Sequence, residues 1–244
     1  MRFYKVGRFV GYSIGGGLNV PWLKAIIGVL GAGLPLILLF WGLAIDGNIQ
    51  DSMSSYYALR TRDAFVGILF IIGWVLFVYK GYNNTGSVNI DSIAGNLACV
   101  FALGVAFFSN QDPGWMSKVH FISAACLFIL FAVFSIFLFT RSKNTPPDFW
   151  KSVVWVLTGK STKKDGYMSG RKILRNRIYL ACGIIIMVML LLLGMYMWLW
   201  QDTSLAKIKP VFILEWIMVW AFALSWLVKG EILFKDKVIV SKSV

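Results

Sequence analysis

Apolar positions gather into six long runs, at about 22–45, 64–82, 90–108, 117–140, 177–200 and 209–229. Each approaches the roughly 20 residues a helix needs to cross a hydrocarbon core. The pattern predicts an all-α integral membrane protein. It would be a six-transmembrane-helix bundle forming one polytopic domain over residues 1–244, with a long loop at about 141–176. The third run is short and rich in small residues. Ser92, Gly95, Cys99, Ala102 and Ala106 recur there at helical spacing, a stripe that lets helices approach closely in lipid. This places the third helix centrally. Gly28 and Ala32 form a lesser small pair in the first run, where Pro35 removes a backbone donor.

The long loop carries its own pattern. Phe149, Trp150, Val153, Val154 and Leu157 share one helical face. This predicts an amphipathic helix lying in the membrane interface, with basic flanks attracting anionic lipid. The stretch 158–170, rich in Lys, Ser and Gly, reads as a mobile loop.

Charge then sets orientation. Arg2, Lys5 and Arg8 precede the first run, and Arg141, Lys143, Lys151, Lys160, Lys163, Lys164, Arg171, Lys172, Arg175 and Arg177 crowd the long loop. Lys229, Lys235, Lys237 and Lys242 follow the last run. With an even number of spans these regions share one side, which the positive-inside rule makes cytoplasmic. The other side has only Arg60, Arg62, Lys118, Lys207 and Lys209, beside Asp46, Asp51, Asp63, Asp112 and Asp202. The expected location is the cytoplasmic (inner) membrane, multi-pass, with both termini cytoplasmic. The net charge of +13 is thereby read as topology and anionic-lipid attraction. No recognition element interleaves the basic residues, so nucleic acid is not an expected partner. Membrane lipids are, and a homo-oligomer is open. The apolar run from Trp22 is long enough to read as a retained helix rather than a signal peptide.

Candidate chemistry lies in the rare ionisable groups at membrane depth. Asp63 opens the second run, His120 sits in the first turns of the fourth, and Glu215 lies about a turn and a half into the sixth. All three helices enter from the non-cytoplasmic side, so the groups share a depth. Charge facing lipid is costly, and such groups usually face the bundle interior. Ser54, Ser55, Tyr56 and Tyr57 add hydroxyls, while Arg60 and Arg62 add donors that match phosphate or carboxylate. The expected site is an outward-facing polar pocket made of these nine residues, binding a lipid headgroup or small ligand in a sensor or scaffold role. Blander roles compete: a helix-start carboxylate for Asp63, a headgroup-level imidazole for His120, and an interfacial aromatic belt for the tyrosines.

Other chemistry finds less support. A zinc site usually needs three ligands, and the single His120 with Asp63 and Glu215 makes a poor set. Cys99, Cys126 and Cys182 fall inside apolar runs at different depths, so neither a metal site nor a disulfide is expected. Gly15, Gly16 and Gly17 lack the Lys-Ser of a phosphate loop, and no cofactor is implied. A membrane-embedded lipid hydrolase using Ser54 or Ser55 with His120, Asp63 and Glu215 is the main alternative. A transporter or oligomeric channel is a third class.

Several short motifs carry a family resemblance. They are Ser54–Ser55–Tyr56–Tyr57, Arg62–Asp63–Ala64–Phe65–Val66–Gly67 and Tyr79–Lys80–Gly81–Tyr82, with His120, Ser123 and Ala124, and Asn176–Arg177–Ile178–Tyr179 with Gly183. Over about residues 50–185 the chain resembles a widespread group of uncharacterised bacterial polytopic membrane proteins. That resemblance implies membership and no mechanism. The chain is more loosely similar to ceramidase-like and progestin-receptor-like membrane hydrolases. Those use a serine, an aspartate and several histidines around zinc, and with one histidine that constellation is absent here.

Overall fold

The computed structural model describes residues 21–81, 89–141, 149–158, 170–200 and 203–234. The basic N-terminal tail, the 159–169 part of the expected mobile loop and the basic segment after Phe234 lie outside the described residues. Among the described residues the regular structure is all helical, with no strand. Five helices are long and apolar enough to cross a membrane. They are α1 (Pro21–Asp46), α3 (Ile90–Phe107), α4 (Trp115–Val133, prolonged by a π-helical turn Phe134–Leu138), α6 (Gly170–Leu199) and α7 (Pro210–Lys229). Between them lie α2 (Arg62–Val78), an apolar helix of 17 residues, and the short α5 (Phe149–Thr158). The chain is a multi-pass membrane protein.

Local chemistry sets the helix ends. Asn89 caps α3: its side-chain oxygen accepts from Ser92 N at 3.2 Å, while its amide donates to Lys80 O at 2.7 Å. Pro210 begins α7, where a missing N–H costs nothing. The second apolar run extends to about 82, but α2 stops at Val78, since Tyr79 is extended and Gly81 takes φ +53°. The fifth run begins near 177, whereas α6 starts at Gly170. Its first two turns are basic rather than apolar, so the helix outruns the hydrophobic pattern.

The six long helices close into a ring in chain order. α1 packs on α2, α2 on α3, α3 on α4, α4 on α6, α6 on α7, and α7 back on α1, while α5 lies outside against α6. The small-residue stripe of α3 explains one seam. A Cβ on Gly95 would run into Leu76 O, and Gly73 of α2 faces Ala102 and Cys99. The α1–α7 seam is equally tight, because a Cβ on Gly28 would lie 2.6 Å from Leu227. Close backbone approach of this kind replaces water-driven association in lipid. Trp220 of α7 donates its indole N–H to Ala32 O at 3.0 Å, one residue past Gly31, whose carbonyl Pro35 deprives of its helical donor.

Candidate functional site

Two polar clusters occupy opposite ends of the ring. The first gathers where α1 ends and α2, α4 and α7 begin. Here the 47–61 connection folds back over the ring mouth, with a short 3-10 helix Ser54–Ala58 at its centre. Ser54 Oγ lies 2.9 Å from His120 Nε2, and His120 Nδ1 lies 2.7 Å from Phe108 O. A carbonyl only accepts, so in the neutral ring Nδ1 carries the proton and Nε2 receives the Ser54 hydroxyl. Glu215 Oε2 accepts from Met53 N at 2.7 Å. Met53 N and Ser54 Oγ, adjacent along the connection, thus bring the carboxylate and the imidazole together.

The remaining members of the expected site are used locally. Ser52 and Ser55 hydroxyls pair at 2.8 Å, and Asn110 Nδ2 donates to Ser55 Oγ at 3.3 Å. Arg62 stacks on the Tyr57 ring at 4.4 Å and donates to its hydroxyl at 2.9 Å, while that hydroxyl donates to Phe107 O at 3.3 Å. Tyr56 is buried, which pushes its phenol pKa up, and its oxygen accepts from Gln50 N at 3.3 Å. Lys209 anchors the base of the connection through Ile49 O and Asp51. Arg60 and Asp63 are exposed, with Asp63 in the first turn of α2. The structure therefore brings His120, Glu215, Ser54 and the hydroxyl segment together and leaves Asp63 outside that network. α4 and α7 touch across the ring, while α2 is flanked by α1 and α3.

The second cluster lies at the other end, where α1, α3, α6 and the 79–81 segment meet the ends of α4 and α7. Asp91, fully buried in the first turn of α3, pairs with Arg141 just past the π turn. Gly81 is what lets the segment pass: a side chain there would strike the Asp91 carboxylate, and its φ of +53° disfavours one in any case. Lys229 ends α7 with its ammonium 3.2 Å from Phe139 O and above the rings of Phe139 and Tyr179, at 5.2 Å and 6.0 Å. Trp226, buried, meets Tyr79 and Phe139 edge-on, both at 5.0 Å, and forms an aromatic floor. Each such ring pair contributes about 0.5–1.5 kcal/mol beyond area burial.

These groups surround a cavity of about 220 Å³. Among the described residues its wall carries the cationic side chains of Lys24, Arg141, Lys172, Arg175 and Lys229 and the carboxylate of Glu231, with Asp91 paired to Arg141. Asn176, Thr140 and Tyr179 add polar groups. Arg141 Nε and Asp91 Oδ1 are buried without a hydrogen-bond partner among the described residues. Buried polar atoms are nearly always satisfied by protein, water or ligand. In the sequence Arg141, Lys172, Arg175 and Lys229 signal topology and anionic-lipid attraction rather than a site. The signal that marks the cluster is placement: Lys24, Asp91 and Lys229 fall inside the limits of the apolar runs.

Among the described residues no three His, Cys, Asp or Glu side chains gather as a ligand set. The three cysteines are free thiols. No family model, curated protein or solved structure matches the chain.

Proposed function

We propose that this chain is a six-span protein of the cytoplasmic membrane that binds an anionic ligand in the basic cavity, in a sensing or scaffold role. The carrying observation is the cavity wall, where Lys24, Arg141 and Lys229 converge and the buried Arg141 Nε has no hydrogen-bond partner among the described residues. Counting α2 as the sixth span puts both termini and the cavity on one side. The lysine and arginine bias makes that side cytoplasmic. α5 then lies on the cytoplasmic membrane surface. Trp155 is buried and lies under Lys172 at 5.6 Å, Arg177 caps the helix at Leu157 O at 2.9 Å, and Val154 and Leu157 are exposed. The outward cluster serves as a clasp in this reading, because His120 and Glu215 bind the chain's own 53–54 segment. Mass spectrometry of molecules co-purifying with the protein tests the proposal. An anionic species should accompany the wild type and be depleted in a Lys24→Gln/Lys229→Gln double variant. The same content in both would count against it.

A second reading has one specific observation in its favour. Ser54 Oγ on His120 Nε2 at 2.9 Å, with Nδ1 held by Phe108 O, is the geometry of a base-activated serine. Lipid hydrolysis there requires the 52–58 segment to lift from the ring mouth, since Ser54 and His120 are both buried. Labelling by a fluorophosphonate, lost in Ser54→Ala and His120→Ala, would establish it. Absence of labelling in bilayers as in detergent would leave the clasp.

A further inference from the structure

An apolar groove of about 380 Å³ lies between α1, α6 and α7, lined by Ala32, Cys182, Ile185, Ile217, Trp220 and Leu224 among others. It shares its seam with the basic cavity. On α6, Tyr179 borders the cavity and Cys182, one turn on, borders the groove. On α7, Lys229 borders the cavity and Leu227 the groove. From Leu227 to Ile217 the groove runs ten residues along α7, about 15 Å at helical rise. That is half of a hydrocarbon core of about 30 Å, the depth of one leaflet.

We infer that the ligand of the basic cavity is an anionic glycerophospholipid, its phosphate among Lys24, Arg141 and Lys229 and one acyl chain along the α1–α6–α7 groove. The inference rests on the reading of the cavity as an anion site. Charge complementarity selects the headgroup: ammonium and guanidinium groups on a semi-enclosed wall favour phosphate, and a zwitterionic headgroup brings a cation that the wall repels. The groove selects the lipid over a free anion. Its lining is apolar, it opens beside the cavity, and its length fits the leaflet the cavity faces.

Native mass spectrometry with dioleoylphosphatidylglycerol, dioleoylphosphatidylcholine or sodium phosphate as probe separates the possibilities. The wild type should retain phosphatidylglycerol about tenfold better than phosphatidylcholine, a difference of the size that one good charge-assisted contact supplies. Lys24→Gln/Lys229→Gln should abolish that preference. Ala32→Phe, which fills the groove, should reduce retention of phosphatidylglycerol while leaving any phosphate adduct unchanged. Leu224→Trp fills the groove from an exposed position and keeps the test open should Ala32→Phe misfold. Phosphate bound as well as the lipid, with both groove variants indifferent, would overturn the lipid inference and leave the anion site standing. Indifference of the lysine double variant to both anionic probes would overturn the anion site itself.

Discussion

The two ends of the ring use polar residues in opposite ways. At the mouth covered by the Ser54–Ala58 3-10 helix, rare groups meet the chain's own backbone and hydroxyls: His120 takes Ser54 and Phe108 O, and Glu215 takes Met53 N. At the basic end, common groups converge: Lys24, Arg141 and Lys229 border one cavity, with Asp91 paired to Arg141 and Glu231 on the wall. Rare residue types are here bound to the chain's own 53–54 segment, whereas common cationic ones line a cavity.

The sharpest way to break this contrast is at the buried ion pair. Asp91→Ala leaves Arg141, its side chain 32% exposed, without its carboxylate, and should cost about 2–4 kcal/mol, somewhat below the range for a fully buried orphaned charge. Thermal unfolding in detergent measures it. The companion Asp91→Leu/Arg141→Met variant should recover much of that stability, since it removes both charges together. Loss as large in the double variant as in the single would show that the pair does not act as a unit.

Next in size is the clasp. His120→Ala removes the partner of both Ser54 and Phe108 O, and should cost about 1–3 kcal/mol. Hydrogen exchange should rise over residues 52–58, with anionic-lipid retention unaltered. Coupled loss of retention would join the two ends into one site. Glu215→Gln keeps an acceptor for Met53 N and should cost about 1 kcal/mol or less, whereas Glu215→Leu should release the segment as His120→Ala does. Smallest is Asp63→Asn. Asp63 is exposed in the first turn of α2, so only a dipole contribution of about 0.3–1 kcal/mol is at stake. A large effect on binding from this substitution would restore Asp63 to a site.

The helices were legible because lipid imposes a length and a composition on them. The runs at 22–45, 90–108 and 209–229 match α1, α3 and α7 to within about two residues, within the usual uncertainty of helix ends. The α3 stripe was legible too, since Gly95 sits against α2 as helical spacing requires. What periodicity does not carry is ring order, and ring order decides which helix ends meet. Asp91 and Arg141 are fifty positions apart, and Lys24 and Lys229 stand near opposite ends of the chain. Only closure of α7 onto α1 puts the last two on one cavity. At the other end the depth of His120 and Glu215 was readable. The agent that joins them was not, because the 53–54 backbone leaves no signature in side-chain pattern.

The central claim is that anion binding belongs to the basic end. Photo-crosslinking with a diazirine-bearing phosphatidylglycerol, followed by peptide mapping, tests it most directly. Crosslinks should fall on peptides containing Lys24, residues 139–141, residues 172–179 and residues 224–229, and should disappear in Lys24→Gln/Lys229→Gln. Crosslinks concentrated on residues 53–62 and around His120, unchanged in that variant, would contradict the account and move the site to the other end of the ring.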